Sequence, residues 1–191
     1  MSELILRAPE ERDIPALHEM ILRPAVQWGT GRLPYQKTDW VAERVRARTE
    51  GVHSLVAEKD GTAIGWATLT RGPDRRSHSG SLAITVHDLH HRQGVGRALM
   101  TAILDLADNW LGLIRTELEV NLDNHGAIAL YRAFGFEDEG IRRASLLRDG
   151  VYVDSLLMGR LIAPRPTAGA PGDAFAAPGF AAKSSGPGEG A

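Results

Sequence analysis

The sequence contains no cysteine among its 191 residues. This absence excludes disulfide bonds, thiolate metal ligands and a covalent mechanism through a cysteine nucleophile. Long apolar segments are also missing, because the longest run without Asp, Glu, Lys or Arg is the 11 residues from Ser77 to His87. A bilayer-spanning helix needs about 20 apolar residues. The sequence therefore predicts no transmembrane helix and no membrane partner.

An excess of charge of one sign is missing as well. The 22 Lys and Arg residues are balanced by 24 Asp and Glu residues, which leaves a net charge of -2. Because there is no broad cationic field, we expect no nucleic-acid partner and instead a small molecule or a protein. The charged first residues, from Glu3 to Arg12, lack the apolar segment of a signal peptide. Together with the missing cysteines, this predicts a cytoplasmic protein.

The composition changes abruptly near residue 162. Before that point it is typical of a globular protein, whereas 20 of the 29 residues from Ala163 to Ala191 are Ala, Gly or Pro. Such a segment buries too little apolar surface to offset its conformational entropy. We predict one domain over residues 1–162 and a disordered tail over residues 163–191, in which Phe175 and Phe180 are the residues suited to contact a partner.

Hydrophobic periodicity predicts elements in the order β, α, α, β, β, β, α, β, α, β, β. The dipeptides Asp60-Gly61 and Asp149-Gly150 predict two β-hairpins. A helix with Thr38 as its N-cap is expected to end near Gly51, and another is expected after Gly94 with an apolar stripe that runs to Trp110. The broken segment from Pro24 to Tyr35 is expected to be a shaped loop. This interleaving predicts an α/β (α+β) fold, a mixed sheet covered by helices.

A glycine-containing loop, His91 to Arg97, stands between a predicted strand and a predicted helix. Free N–H groups at a helix start favour an anion such as phosphate, and Arg92 and Arg97 add positive charge. A lone Gly-x-Gly is nevertheless more often a simple tight turn. The dinucleotide-binding fingerprint is not met, since its third glycine position is Leu99, and no P-loop Gly-Lys-Ser/Thr occurs.

A second cluster lies about thirty residues further on, with the sequence Asn121-Leu-Asp-Asn124-x-x-Ala127-x-x-Leu130-Tyr131-x-x-x-Gly135-Phe136. The loop and this cluster together resemble the acetyl-coenzyme A site of the GCN5-related N-acetyltransferase (GNAT) superfamily. Within it, the chain is most similar to bacterial L-amino-acid N-acetyltransferases. That similarity rests on Arg75-Arg76-Ser77-His78, Asp108-Asn109-Trp110-Leu111 and Gly150-Val-Tyr152-Val-Asp154. His91 departs from the family pattern, which has Gln or Arg there.

The resemblance implies a central, mixed, mostly antiparallel twisted sheet of about seven strands flanked by about four helices, and a homodimer. It implies acetyl-coenzyme A (acetyl-CoA) as cosubstrate and Tyr131 as the general acid that protonates the leaving thiolate, whereas the residues alone leave core packing of Tyr131 equally open. The implied cofactor contacts are Thr85, Val86, Arg92, Gln93, Gly94, Val95, Gly96, Arg97, Ala98, Asn124, Ala127 and Tyr131.

The acceptor side of the site is expected in the loop before the second helix and in the last hairpin. The candidate residues are Gln27, Trp28, Leu33, Tyr35, His78, Tyr152 and Asp154, of which Asp154 is suited to an ammonium group. The general base is open between Glu117 and Glu119, which alternate on one strand, and His78. Three nearby histidines, His87, His90 and His91, lack a matched carboxylate, so no metal is predicted.

These patterns lead to the hypothesis that the chain transfers acetyl from acetyl-CoA to the α-amino group of a free L-amino acid, with apolar or aromatic ones preferred. Direct attack in a ternary complex is expected, because no nucleophile signature supports an acyl-enzyme. A polyamine, an antibiotic or a protein N-terminal amine is an alternative acceptor. A non-catalytic acetyl-CoA sensor, with the tail as its partner segment, is the alternative of another class.

Overall fold

A computed structural model of the chain describes residues 3–47 and 49–163. The predicted disordered tail, from residue 164 onward, lies outside the described residues. The helices are α1 (Ile14–Leu22), α2 (Pro24–Gly29), α3 (Thr38–Arg46), α4 (Val95–Asp105) and α5 (His125–Ala133). The strands are β1 (Ile5–Arg7), β2 (Val52–Lys59), β3 (Thr62–Arg71), β4 (Ser79–Val86), β5 (Arg115–Asn121), β6 (Glu137–Arg148) and β7 (Val151–Leu161).

The strands form one seven-stranded sheet in the order β1-β2-β3-β4-β5-β7-β6. Neighbouring strands are antiparallel except β4 and β5, which are parallel. The predicted mixed, mostly antiparallel sheet is therefore confirmed. Both predicted hairpins form, and in the second one Asp149 (φ 53°) and Gly150 (φ 79°) have the positive φ angles of a tight hairpin turn.

The sheet opens between its two parallel strands. β4 and β5 pair only where Ser79–Ser81 lie beside Arg115–Glu117, and within the described residues the ladder does not continue beyond these three pairs. Further along, β4 stays paired with β3, and β5 stays paired with β7. The two strands therefore separate into a wedge whose open end is bordered by Thr85 and Asn121.

Helices cover both faces of the sheet, because β3 is apolar on both faces. Trp66 packs with α1, α2 and α3 in one core cluster. Ala67 and Leu69 belong to the other cluster, which holds the buried face of α4 and the inner residues of α5. The sequence predicted this covering of the sheet by helices. Among the described residues, no helix is both long enough and apolar enough to cross a membrane.

Three local expectations from the sequence were wrong. The segment predicted as a loop from Pro24 contains the short helix α2, since Pro24 occupies the first helical turn, where proline is tolerated. Helix α3 ends at Arg46, before Gly51, and Lys37 is its N-cap instead of Thr38. Trp110 leaves the apolar stripe of α4, because a π-helical turn follows Asp105 and shifts the side chains, so that Trp110 is 77% exposed.

Candidate active site

Two cavities flank the wall formed by α5 at the open end of the wedge. The loop cavity, about 590 Å³, lies between the end of β4, the loop before α4, and α5. The wedge cavity, about 540 Å³, lies between β4, β5, the segment after α2 and the β6–β7 hairpin. Both cavities are lined by Ile84, Asn124, Ala127 and Tyr131. These four residues therefore form a shared wall, and groups bound in the two cavities would lie on opposite sides of it.

The loop cavity contains the open N-terminus of α4. Gly94, the N-cap, has φ 86° and ψ −6°, a left-handed conformation that costs glycine little, and no side chain caps the helix. The N–H groups of the first turn are thus available to an anion, at the positive end of the helix dipole. Arg92 and Arg97 line the same cavity, and neither forms an ion pair within the described part of the chain. This arrangement suits a pyrophosphate.

Some residues expected at the loop cavity do not line it. Val95 packs in the core, the Gln93 side chain donates to the carbonyl of Leu89 at 2.9 Å, and the Ala98 N–H donates to Gly94 at 3.0 Å. His91, the departure from the family pattern, bonds through Nε2 to the carbonyl of Val86 at 2.9 Å. The histidine thereby ties the loop to the end of β4.

Asn124 and Ala127 are joined at the start of α5. Asn124 is the N-cap, and its Oδ1 accepts a hydrogen bond from the Ala127 N–H at 3.2 Å. Both residues line both cavities. The cap therefore fixes the beginning of the helix that carries Tyr131.

Tyr131 lies one helical turn beyond Ala127. Its ring is buried in the core beside Phe136, with ring centroids 6.0 Å apart. Its hydroxyl has no hydrogen-bond partner among residues 3–47 and 49–163. Burial raises the pKa of Tyr131 to about 12, so the phenol keeps its proton at neutral pH. Tyr131 is thus a core residue that also lines both cavities, and its hydroxyl bonds to no other described residue.

Arg32 lines the wedge cavity beside β4. Its Nη1 donates to Thr85 Oγ1 at 3.4 Å, and its guanidinium lies 4.8 Å from the ring centroid of Trp40. Desolvation by burial, and then repulsion from Arg44, lowers the pKa of Arg32. Thr85, which was expected at the cofactor, instead lines the wedge cavity.

The two candidate bases on β5 have different surroundings. Glu119 lines the wedge cavity, where one oxygen accepts from Arg142 and the other from Ser145, each at 2.6 Å. Glu117 lies outside both cavities and accepts from Arg115 at 3.0 Å. The structure therefore brings only Glu119 to the wall opposite β4.

The segment after α2 is held against the last hairpin by Arg148. Its guanidinium lies 3.8 Å from the ring centroid of Trp28, and Nη1 donates to the Trp28 carbonyl at 2.7 Å. Asn121 Nδ2 donates to the same carbonyl at 3.3 Å. This Arg148 clamp positions Gly29, Thr30, Gly31 and Arg32 at the wedge cavity.

The expected acceptor residues do not line either cavity in the described chain; they are Gln27, Trp28, Leu33, Tyr35, His78, Tyr152 and Asp154. Leu33 and Tyr35 are exposed by 72% and 94%. His78 precedes β4, at the end of the strand away from the wedge opening. Trp28 contributes both its ring and its carbonyl to the Arg148 clamp.

Tyr152 and Asp154 do not share the wedge cavity, contrary to the sequence-based grouping. They line a separate shallow depression, whereas Ser155 lines the wedge cavity. Adjacent residues of a strand point to opposite faces, which separates Asp154 from Ser155. The Asp154 carboxylate accepts from the Ala144 N–H at 2.8 Å, so it holds an irregular part of β6 instead of facing an ammonium site.

The sequence-based reading missed Arg32, Arg142 and Ser145. One feature of the sequence could have pointed to Arg32, because it is the single charged residue between Arg23 and Lys37.

Two of the histidines near the loop have different hydrogen-bond partners. His87 bonds to Glu19 at 2.9 Å, and His91 bonds to a backbone carbonyl. Within the described residues, no group of three metal-ligating side chains is gathered.

Comparison with known proteins gives concordant results. The sequence profile of the Acetyltransferase (GNAT) family matches residues 14–136. The L-amino acid N-acetyltransferase AaaT of Escherichia coli is 37% identical over 162 residues, which are 84% of this chain and 99% of AaaT.

Two solved structures extend the comparison to the fold. Spermidine N-acetyltransferase from Vibrio cholerae, solved with CoA and spermine, superposes with a TM-score of 0.74 and 25% identity over 83% of this chain and 95% of that chain. The Salmonella typhimurium protein yncA, solved with its cofactor acetyl-CoA, superposes with a TM-score of 0.72 and 22% identity over 86% of this chain and 99% of that chain. The chain belongs to the GNAT family of acetyl-CoA-dependent acetyltransferases.

Proposed function

We propose that the chain acetylates the α-amino group of a free L-amino acid, with acetyl-CoA in the loop cavity, the acceptor in the wedge cavity and Tyr131 as the general acid. The observation that carries this proposal is the position of Tyr131 on the wall common to both cavities. A proton donor is needed where the leaving thiolate and the attacking amine meet, and this wall is where two bound substrates would meet.

The residues of the loop cavity fit acetyl-CoA. The uncapped start of α4 with Arg92 and Arg97 suits the pyrophosphate. The N–H of Val86, at the open edge of β4, can pair with an amide carbonyl of the pantetheine arm, whereas the Val86 carbonyl already accepts from His91. Acetyl-CoA supplies the acetyl thioester, and residues of the chain hold that thioester in place for the attack of the amine.

The chemistry requires one proton to be given and one to be removed. The amine nitrogen forms a bond to the acetyl carbon, the carbon–sulfur bond breaks, and Tyr131 donates its proton to the departing sulfur. The amine proton leaves through Glu119 or water, and the phenol recovers a proton from solvent. Because its pKa of about 12 keeps Tyr131 protonated, the donor is ready before each turnover.

The charges and the apolar walls of the wedge cavity support an amino-acid acceptor. Arg32 and Arg142 outnumber the one carboxylate, Glu119, among its charged lining residues. This balance suits an acceptor with a carboxylate and opposes a polyamine. Leu82, Val120 and Leu146 supply an apolar wall for a side chain. The similarity to AaaT, named for L-amino acids, agrees with this choice.

Replacement of Tyr131 by Phe tests the proposal. Because general acid catalysis contributes about 10²- to 10⁴-fold, Tyr131→Phe is expected to lower kcat by about that factor, with little change in the Kd of acetyl-CoA. Thiol release from acetyl-CoA is measured with a panel of free amino acids, polyamines, an aminoglycoside and a short peptide. Tyr152→Phe, at an exposed tyrosine outside both cavities, is the matched control.

The panel separates the alternatives. Turnover with amino acids and a defect confined to Tyr131→Phe support the proposal. Equal kcat in both variants rules out the acid role. Turnover with polyamines or peptides alone would mean that the acceptor is not a free amino acid. Thermal stabilisation by acetyl-CoA without turnover of any acceptor would favour a non-catalytic sensor.

A further inference from the structure

Arg32 differs from the other arginine of the wedge cavity. Arg142 is neutralised by Glu119 at 2.6 Å. Arg32 also lines the cavity, but no carboxylate lies within 4 Å of its guanidinium among residues 3–47 and 49–163. The cavity therefore presents one cation whose charge the described chain does not balance.

An unbalanced cation in a partly buried position is costly. Removing a guanidinium from water without an anionic partner is unfavourable, and the lowered pKa of Arg32 has desolvation as its first cause. Surface arginines would avoid this cost by turning into solvent. Arg32 instead remains at the cavity wall, where an anionic ligand would compensate its charge.

Two contacts hold the guanidinium in place. Thr85 Oγ1 accepts from Nη1 at 3.4 Å, and the Trp40 ring lies beneath the guanidinium at 4.8 Å. Arg44 lies over the same ring, at 3.4 Å, and bonds to the Trp40 carbonyl at 3.1 Å. Both guanidinium groups stack on the Trp40 ring, which holds the Arg32 guanidinium in position. Of the two arginines, only Arg32 lines the wedge cavity. Fewer rotamers are then lost when a ligand binds.

We propose that Arg32, supported by Thr85, binds the carboxylate of the acceptor and thereby selects α-amino acids. This inference rests on the proposed function. The carboxylate and the amine of an α-amino acid share one carbon, so anchoring the carboxylate at Arg32 fixes the amine a short distance away. Thr85 and Tyr131 line the same cavity from β4 and α5, so the anchored amine lies between the carboxylate site and the proton donor.

The test compares an L-amino acid with its carboxamide, which keeps the amine and the side chain and lacks the negative charge. Wild-type protein is expected to favour the acid by about 10- to 100-fold in kcat/KM, the range for a hydrogen bond to a charged group. Arg32→Gln is expected to reduce this preference to about twofold by raising KM for the acid alone. The acid and the carboxamide have amines of different basicity, but this difference cancels when the preference of wild-type protein is divided by the preference of Arg32→Gln.

Two further variants keep the test specific. Arg32→Lys retains a charge and is expected to recover part of the preference. Arg44→Gln removes the other cation on Trp40 and is expected to leave the preference and both KM values unchanged. The Kd of acetyl-CoA, measured by calorimetry, is expected to be the same in all variants, which excludes general unfolding.

The outcomes are distinct for the two proposals. If wild-type protein acetylates amino acids and Arg32→Gln keeps the full preference for the acid, Arg32 is not the anchor, while the proposed function stands. If wild-type protein uses the carboxamide as well as the acid, the carboxylate is not recognised, and the inference fails without any mutation. If only polyamines or peptides react, both proposals fail.

Discussion

The two cavities that meet at Tyr131 are built in different ways. The loop cavity offers mainly backbone N–H groups from one short loop and helix start, with Arg92 and Arg97 beside them, which form no ion pair with any described residue. The wedge cavity is assembled from side chains of four segments that are far apart in sequence, and most of its charges already form pairs. The loop cavity is thus local and backbone-based, whereas the wedge cavity depends on tertiary structure.

This difference predicts how each cavity tolerates change. A backbone site persists when neighbouring side chains vary, because the N–H groups belong to every residue type. A site of paired side chains changes its chemistry with one substitution. We expect acetyl-CoA binding to tolerate changes of uncharged side chains in the loop and to depend on side chains mainly through Arg92 and Arg97. The choice of acceptor should change with single substitutions, and the two sides can be tested separately.

In the comparison of the two cavities, the largest effect on binding is expected when both cations of the loop cavity are removed. The double variant Arg92→Gln/Arg97→Gln should raise the Kd of acetyl-CoA by about 10- to 100-fold, because charge-assisted contacts to phosphate are lost. Isothermal titration at two salt concentrations should show a weaker salt dependence than wild type. KM for the acceptor should stay within about twofold.

The control for that variant removes two exposed arginines elsewhere. Arg12→Gln/Arg46→Gln changes net charge equally, and neither position lines the loop cavity or the wedge cavity. A similar loss of affinity in this control would mean that overall charge, and not the loop cavity, attracts acetyl-CoA.

A smaller effect, on the other side of the comparison, is expected from loss of the Arg148 clamp. Arg148→Ala removes a hydrogen bond to Trp28 at 2.7 Å and the contact with its ring. KM for the acceptor should rise by up to about 30-fold, since each of the two contacts is worth about 1 kcal/mol. The Kd of acetyl-CoA should not change. Arg143→Ala, at an exposed arginine on the same strand, should leave KM for the acceptor unchanged. An equal rise of KM in this variant would contradict the role of the Arg148 clamp.

The smallest effect involves the wall that both cavities share. Asn124→Ala should cost about 1 kcal/mol of unfolding free energy through loss of the N-cap of α5, with a Tm lower by about 2–4 °C. Asn124→Asp keeps a capping oxygen and should keep the Tm, but its negative charge should weaken acetyl-CoA binding. If both variants have wild-type Tm, the cap does not stabilise α5.

The sequence predicted the fold and the loop cavity because their signals are local. Alternating residues and the Asp-Gly turns specify the hairpins, and the glycines before Val95 mark the start of α4. The family and its acetyl-CoA dependence followed from motifs with fixed spacing. These features require no knowledge of which strands become neighbours.

The wedge cavity was harder to predict, because its residues depend on an irregular part of β6. The β6–β7 register shifts between Arg142 and Leu146, and Ala144 has φ 49°. Glycine adopts a positive φ most readily, but position 144 carries alanine, so no residue type in the sequence marks this bulge. The shift brings Arg142 and Ser145 to Glu119, which alternation alone does not predict.

The brief pairing of β4 with β5 has a consequence for the lifetime of the chain. The backbone groups of Ala83 and Thr85 pair with β3, whereas those of Leu82 and Ile84 face the wedge without a partner strand within the described residues. A ligand that pairs with these groups binds the folded chain and not the unfolded one, and stabilises it by RT ln(1 + [L]/Kd). Resistance of the purified protein to proteolysis should therefore increase with acetyl-CoA concentration.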